Sequence, residues 1–428
     1  MLKDSLVIIA SQLPRMAVVV LASVLTSPAG GAQNRVHAVV PTHTAARTSP
    51  FASPAVDAGD YLYISGQGPN GPDGTPPSTF KAQVEQTLDN IKTIVEAAGL
   101  TMDHVVYTQV YLTDISQYDE LNKVFAGYFP KTLPARAVLG VAKLPEPTVE
   151  INAVAVRDLK DRRAVFPAND QHRYSYSPGV LTYDRLFISS MAGVDPATGK
   201  VPEDPAQQVE LALDGMKAVV NAAGLELANV VFVNPYLTKE IPMRVMNERY
   251  ARRFEFGNTP GRATIEVTSL PGGAHIEYTG VAVRDLSVRK AVRPKNMPPS
   301  PTASPCVFAG ETLYCSAKSG FIPGPHGGVY SATVPAQLRQ TMRNLLDNLE
   351  EAGMDFSQVV STTVYLDDLA DAKEFDRVYG EYLGPVMPAR TTLEQIASGD
   401  RKEEDGEGHY PDLEQISLIA VQRRTPQQ

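Results

Sequence analysis

The stretch LPARAVLGVAKLPEPTVEINAVAV, residues 133–156, decides how this chain folds. It contains two apolar runs typical of β-strands, joined by a segment with two prolines. Arg136 lies in the first run, and Glu150 lies in the second, fourteen residues later. Because charged groups are costly to bury, a cation and a carboxylate in adjoining strands indicate either a structural ion pair or a functional site.

The same arrangement occurs twice more along the chain. Residues 259–283 are TPGRATIEVTSLPGGAHIEYTGVAV, and a third version begins MPARTTLEQ at residue 387. The corresponding charged residues are Arg262 with Glu277 and Arg390 with Glu414. Successive arginines are 126 and 128 residues apart, whereas solenoid and propeller repeats have periods of roughly 20–50 residues. The chain therefore consists of three homologous domains, and the repetition of the pair favours a functional role.

We place the domains at residues 49–159, 173–286 and 302–424. The segments 33–48, 160–172 and 287–301 are polar or proline-bearing, and we expect them to be extended linkers. Within each copy, hydrophobic periodicity predicts the order β-β-α-β-α-β-β, an α/β (α+β) fold with helices on one face of a mixed sheet.

Composition is that of an ordinary globular protein, with 43% hydrophobic and 20% charged residues. The formal net charge of −9 argues against a nucleic-acid partner, which usually requires a basic face. Zinc-ligand clusters, phosphate loops and dinucleotide loops are absent from the sequence, and the seven histidines are scattered. We therefore expect these histidines to be solvated or hydrogen-bonded rather than metal-binding.

The N-terminus predicts an export signal. Lys3 and Arg15 precede an apolar run at residues 16–25, and Gly30 and Ala32 are small residues at the positions that a signal peptidase requires. We therefore expect cleavage after residue 32, export, and no stable membrane insertion of the mature protein. The alternatives are a cytoplasmic protein with a disordered tail, or a true start at residue 16.

The two cysteines, Cys306 and Cys315, flank the segment VFAGETLY, whose turn centre falls between Gly310 and Glu311. A two-residue hairpin places them directly opposite each other. Because cross-strand geometry usually disfavours a disulfide, we favour two buried thiols over a bridge.

Distinctive words of the first copy point to a known family. They are YISGQ (63–67), AAGLTMDHVVYTQVYLTD (97–114), LNKVFAGYF (121–129), LPAR (133–136) and VEINAVAV (149–156). Each copy resembles the RidA/YjgF/UK114 family of reactive-intermediate deaminases, which has a chorismate-mutase-like fold. Family members usually form homotrimers with helices outside, sheets inside and sites in clefts between neighbours. The resemblance thus implies a single-chain pseudo-trimer, and we expect it to be monomeric because its own domains supply the interfaces.

The resemblance also implies a reaction that needs neither a metal nor an organic cofactor. A 2-imino acid, or its enamine tautomer, presents a carboxylate to arginine and an electrophilic carbon to water, and hydrolysis gives a 2-keto acid and ammonia. Glutamate would activate the water, and we expect the nearby cation to keep that glutamate ionised. The catalytic candidates are Glu150, Glu277 and Glu414. The candidates for binding a small carboxylate substrate are Arg136, Arg262, Arg390, Asn122, Asn247, Tyr176, Ser65 and Ser189.

The copies are not equal. The family's tyrosine before the first strand is Tyr176 in the second copy, but Ala52 and Ala303 in the others. The helix asparagine is replaced by Asp376 in the third copy. That copy also separates its arginine and glutamate by 24 residues, with the acidic, glycine-rich insertion SGDRKEEDGEGHYPD at 398–412. We therefore expect the Arg390/Glu414 site to be the weakest, unless the insertion acts as a lid that selects another, cationic ligand.

Two other functions stay open. The same clefts would suit a protein that binds small carboxylates without turnover. An older family label, endoribonuclease, is disfavoured by the negative charge and by the lack of a nucleotide-binding platform.

Overall fold

The computed structural model describes residues 36–42, 49–168, 175–324, 328–397, 399, 401–402 and 409–422. The candidate export signal lies outside these residues, so export stays a prediction, and the insertion at 398–412 is described only in part. Within the described ranges, no helix combines the length and the apolar character that crossing a membrane requires.

The first domain is a six-stranded sheet with two helices. Its elements are β1 (His37–Val39), β2 (Ala55–Asp57), β3 (Tyr61–Gln67), α1 (Phe80–Ala97), β4 (Val105–Leu112), α2 (Tyr118–Phe125), β5 (Ala135–Gly140) and β6 (Val149–Val156). The strand order is β1-β2-β3-β6-β4-β5. The pair β4–β5 is parallel and the other pairs are antiparallel, so the sheet is mixed.

The second domain repeats this plan with an interrupted arginine strand. Its elements are β7 (Arg163–Val165), β8 (Gly179–Leu181), β9 (Arg185–Ala192), α3 (Pro205–Ala222), β10 (Val230–Leu237), α4 (Met243–Tyr250), β11 (Gly261–Arg262), β12 (Ile265–Glu266) and β13 (Ile276–Val283). Both β11 and β12 pair in parallel with β10, where the first domain has the single strand β5.

The third domain follows the plan of the first. Its elements are β14 (Arg289–Val292), β15 (Cys306–Ala309), β16 (Thr312–Ser319), α5 (Val334–Glu351), β17 (Val359–Leu366), α6 (Ala372–Tyr379), β18 (Ala389–Glu394) and β19 (Glu414–Val421). The strand order β14-β15-β16-β19-β17-β18 matches that of the first sheet. The predicted order β-β-α-β-α-β-β is therefore confirmed in all three domains.

The linker segments add one strand to this order. The short strand β7 lies within 160–172 and β14 lies within 287–301, and each pairs antiparallel with the first strand of the domain that follows. These segments thus do more than cross between domains, because each extends a sheet at its edge.

Helix α1 shows how the sequence builds each core. Thr79 caps its N-terminus by accepting a hydrogen bond from the backbone N–H of Ala82. The helix buries one apolar face, from Val84 to Val95, against the sheet. Gly99, with φ of 73°, takes the left-handed conformation that commonly ends a helix. Equivalent cores lie under α3 and α5.

The hairpin of β15 and β16 corrects the expectation of two free thiols. Its two-residue turn is Gly310–Glu311, as predicted, and Gly310 has φ of 62°. Cys306 and Cys315 lie directly opposite each other, with their Cα atoms 4.0 Å apart, and they form a disulfide. Because the two residues form a non-hydrogen-bonded pair, their side chains come close enough for the sulfur atoms to bond.

The domains close into a ring. The backbone N–H of Ser177 donates to the carbonyl of Pro134 at 3.0 Å, which joins the second domain to the first. Ser304 and Pro260 join the third domain to the second in the same way, at 3.1 Å. Ser53 and Pro388 then join the first domain to the third, at 3.1 Å. The chain is therefore a single-chain pseudo-trimer, with each domain contacting both others.

Because the ring uses every repeat of this contact internally, we expect the purified chain to be monomeric. Light scattering after size exclusion should give a mass near the 46.3 kDa of one chain over a wide range of protein concentrations. A stable assembly of three chains, with no monomer at low concentration, would contradict this prediction.

Candidate functional site

Three clefts lie at the domain junctions, and each is named by the two domains that form it. The backbone N–H of Arg136 donates to Ser189 Oγ at 2.7 Å across cleft 1/2. Cleft 2/3 and cleft 3/1 have the same contact, at 2.8 Å, between Arg262 and Ser316 and between Arg390 and Ser65. Each arginine therefore lies against the following domain, so it faces a glutamate strand from another copy. This corrects the grouping of each arginine with the glutamate that follows it in its own copy.

Arg136 occupies a buried, largely aromatic setting in cleft 1/2. Its side chain is 1% exposed, and Nη2 donates to Asn122 Oδ1 at 2.5 Å and to Ser175 Oγ at 3.0 Å. The guanidinium carbon lies 4.6 Å from the ring centre of Phe125 and 5.0 Å from that of Tyr176. Asn122 and Phe125 come from α2 of the first domain, whereas Ser175 and Tyr176 belong to the second.

Glu277 completes cleft 1/2 from strand β13 of the second domain. Its side chain is buried, and burial raises its pKa to about 8, an effect that the nearby Ser190 hydroxyl and the Arg136 charge oppose. Burial also lowers the pKa of Arg136, which Tyr118, Tyr176 and Glu277 offset in part. The expectation that the cation keeps the glutamate ionised is thus wrong for this cleft, because desolvation outweighs the attraction.

Cleft 3/1 contains a neutralised arginine. Arg390 Nη1 donates to Asp376 Oδ1 at 2.6 Å, and its guanidinium lies 5.1 Å from the ring centre of Tyr379. Glu150 is buried on β6 and packs so closely on Gly66 that any Cβ there would overlap its carboxylate. The carboxylate of Asp376 already balances the charge of Arg390 and accepts from its Nη1, which a substrate carboxylate would otherwise bind.

Cleft 2/3 has an intact arginine. Arg262 Nη1 donates to Asn247 Oδ1 at 2.7 Å, and the guanidinium lies 5.2 Å from the ring centre of Tyr250. Burial lowers the pKa of Arg262, and the influences of Tyr250 and Tyr278 oppose it.

The glutamate expected at cleft 2/3 is absent from it, because the third domain has a different residue at that position. Tyr111 of β4, Tyr236 of β10 and Tyr365 of β17 are equivalent. The residues opposite them are Glu150, Glu277 and Gln415, respectively. Glu414 is one position earlier, opposite Leu366, and its Oε1 accepts a hydrogen bond from Thr341 of α5. Burial raises the pKa of Glu414 well above its ordinary value. Since neighbouring residues of a strand point to opposite faces, Glu414 faces the helix and Gln415 faces the cleft.

The sequence-predicted site residues are thus distributed unevenly. Cleft 1/2 brings together five of them: Arg136, Asn122, Tyr176, Ser189 and Glu277. Cleft 2/3 has Arg262 and Asn247 without the tyrosine or a glutamate, and cleft 3/1 has Arg390, Ser65 and Glu150 without the tyrosine or the asparagine. Sequence reasoning missed Ser175, Phe125 and Gln415. Alignment of EQISLIAV with VEINAVAV by their shared endings would have identified Gln415.

A metal site is not formed by the part of the chain that the structure describes, where no three His, Cys, Asp or Glu side chains come close enough to hold an ion. The polar groups of cleft 1/2 are instead suited to a small organic anion and a proton transfer.

The three-domain organisation agrees with a comparison against a family model. A family model described as Endoribonuclease L-PSP matches residues 42–157, 169–284 and 296–397. The 2-iminobutanoate/2-iminopropanoate deaminase of Escherichia coli K12 is 41% identical over 107 residues, which cover 24% of this chain and 84% of that protein. The RutC family protein PH0854 of Pyrococcus horikoshii is 38% identical over 109 residues, which cover 25% and 86%. The crystal structure of the YjgF gene product from E. coli, at 36% identity and a TM-score of 0.27, covers 28% of this chain and 98% of that chain.

The raised pKa of Glu277 predicts a pH-dependent effect of Glu277→Gln on stability. Below about pH 4.5 the carboxyl is protonated in both the folded and the unfolded chain. As pH rises from about 4.5 to about 8, ionisation favours the unfolded wild type, and the glutamine variant escapes this loss. Relative to wild type, the variant should gain on the order of a few kcal/mol in free energy of unfolding between pH 4 and pH 8.

Denaturant unfolding at both pH values measures this gain, and the exposed Glu203→Gln is the matched control that should show none. A relative stability of Glu277→Gln that is unchanged or lower at pH 8 would contradict the assignment.

Proposed function

The chain belongs to the endoribonuclease L-PSP (RidA/YjgF) family and contains three successive domains of that family. We propose that it hydrolyses 2-imino acids or their enamine tautomers to 2-keto acids and ammonia in cleft 1/2. The observation that carries this proposal is the convergence of Arg136, Asn122, Tyr176, Ser189 and Glu277 at one junction. The relative named 2-iminobutanoate/2-iminopropanoate deaminase supports the choice of reaction.

Arg136 would bind the substrate carboxylate. Its Nη2 is occupied by Asn122 and Ser175, but Nε and Nη1 are buried and make no hydrogen bond of ordinary geometry with a described residue; the Tyr118 hydroxyl contributes electrostatically. A buried donor without an acceptor costs roughly 1–3 kcal/mol, so a carboxylate oxygen at either nitrogen would remove an existing penalty. The surrounding rings exclude water and strengthen that charge-assisted contact.

Glu277 would transfer the protons. With a pKa of about 8, it is mainly a neutral carboxylic acid at pH 7 and can donate its proton to the imine nitrogen. The carboxylate so formed takes a proton from water as the water oxygen bonds to the imine carbon, which gives a carbinolamine. A second donation to the amino nitrogen breaks the C–N bond, and loss of the hydroxyl proton gives the keto acid and ammonia. One carboxyl group thus serves as acid and base, with water the sole co-reactant.

The other clefts would contribute little to this reaction. In cleft 3/1, Asp376 already neutralises Arg390, and in cleft 2/3, Gln415 replaces the glutamate and cannot transfer a proton at neutral pH. An endoribonuclease activity is disfavoured by the net charge of −9.

The direct test generates imino acids in place with an amino-acid oxidase and follows keto-acid and ammonia release by the purified chain. Acceleration over the uncatalysed rate supports the proposal. Saturable binding of the substrate carboxylate without acceleration would instead support a carboxylate-binding protein.

The three equivalent arginines provide matched variants. We expect Arg136→Ala to lower kcat/KM by about 100-fold, because it removes charge-assisted hydrogen bonds to the substrate carboxylate. Arg262→Ala and Arg390→Ala should stay within about 3-fold of wild type, since their clefts lack a proton donor or a free cation. If Arg390→Ala or Arg262→Ala removed most of the activity and Arg136→Ala did not, the assignment of cleft 1/2 would be wrong.

The protonation state of Glu277 predicts the pH profile. Because the neutral acid is the form that starts the reaction, kcat/KM should fall above a pKa of about 8, approaching tenfold per pH unit. The measurement is the enzyme-catalysed rate from pH 6 to pH 10, corrected for uncatalysed hydrolysis at each pH. A catalysed rate that rises through pH 8 would mean that the carboxylate is the required form.

A further inference from the structure

Cleft 2/3 opens into a cavity of about 350 Å³. Its lining includes Arg262 and Thr264 from the second domain, and Ser316, Lys318 and Gln415 from the third. Ala303 also lines it and stands where the second copy has Tyr176, whose ring covers Arg136 in cleft 1/2. The smaller side chain leaves room beside the arginine for a ligand.

The described residues that line this cavity include two cations and no carboxylate. Arg262 is influenced by burial and by tyrosines, and Lys318 by burial alone, which lowers its pKa. Among the described residues, no carboxylate pairs with either side chain. Both cations lose hydration where they line this partly buried cavity, so an anion with two acidic groups would offset that cost at each of them.

Polar groups around the cations are suited to carboxylate oxygens. Thr264 Oγ1 is buried and has no hydrogen-bond partner among the described residues. The residue facing Arg262 from the glutamate position is Gln415, whose Nε2 donates to Gln395 Oε1 at 2.7 Å. An amide neither repels an incoming carboxylate nor takes a proton from water, so this cleft favours binding over hydrolysis.

We infer that cleft 2/3 is a binding site for small dicarboxylates, which it holds between Arg262 and Lys318 without turnover. The strand position of Lys318 is what sets this cleft apart. Its equivalents are Gln67 in the first domain and Met191 in the second, as the pairing registers of β16, β3 and β9 show. A dicarboxylate therefore meets a second cation in cleft 2/3 that the equivalent positions of the other clefts do not supply.

The test uses the full chain with Arg136→Met, so that cleft 1/2 cannot bind a carboxylate through its arginine. Calorimetry compares succinate, butyrate and inorganic phosphate. We expect succinate to bind at least tenfold more tightly than butyrate. Adding Lys318→Met should weaken succinate by about tenfold or more and leave butyrate within about threefold, whereas Lys200→Met, at an exposed lysine, should change neither.

Lys318→Met introduces the equivalent residue of the second domain, and Lys318→Gln introduces that of the first. If one variant folds poorly, the other still tests the inference. Equal affinity for succinate and butyrate, no succinate binding at millimolar concentration, or succinate binding that survives both Lys318 variants would overturn the inference. Preference for phosphate would overturn the choice of a dicarboxylate. Hydrolysis that survives Glu277→Gln and is lost on Arg262→Met would overturn the absence of turnover, independently of whether cleft 1/2 is a deaminase.

Discussion

The ring depends on one hydrogen bond that is used three times: the backbone N–H of each cleft arginine donates to a serine Oγ of the next domain. Each serine also donates its own proton to a carbonyl of its own domain at 2.6 Å, so its oxygen is held in place to accept. Such a bond contributes only about 1 kcal/mol in net terms, but leaving the buried N–H without an acceptor costs more. The contact therefore fixes where the arginine strand sits, and with it the guanidinium.

Because every cleft takes its arginine from one domain and its acid position from the next, fusion lets the clefts diverge separately. In a homotrimer, one substitution alters three identical sites at once. Here Asp376 changes cleft 3/1 alone, and Gln415 changes cleft 2/3 alone. The same separation allows Tyr176 to cover Arg136 in cleft 1/2 while Ala303 leaves a cavity in cleft 2/3. Each cleft thus belongs to a boundary between two domains. A comparison of motifs within one copy therefore pairs an arginine of one cleft with a glutamate of another.

The fold could be predicted from the sequence, because helical and strand periods repeat with the domains and the β15–β16 turn has its own signal at Gly310. Other features depend on three-dimensional facts that the sequence shows poorly. Glu414 directly precedes the last apolar run, as Glu150 nearly does, but the strand pairing puts Gln415 at the equivalent position, and a difference of one residue changes the face. The pKa of Glu277 depends on how completely two domains exclude water, which no local pattern reveals. The disulfide likewise depends on the distance between two backbones.

The junction of the three domains also shows that divergence reaches beyond the clefts. The residues that begin the strand after each hairpin turn are Tyr61, Arg185 and Thr312, and Arg185 contacts the other two. Arg185 lies 4.2 Å from the ring centre of Tyr61 and donates to Thr312 Oγ1 at 3.3 Å, while its charge is balanced by Asp184. A trimer of identical second domains would place three Arg185–Asp184 pairs at this point, whereas here one arginine packs against a tyrosine and a threonine. One cation among two neutral neighbours is an arrangement that a covalently joined set of unlike domains can adopt, so the linkers maintain a combination that symmetry would forbid.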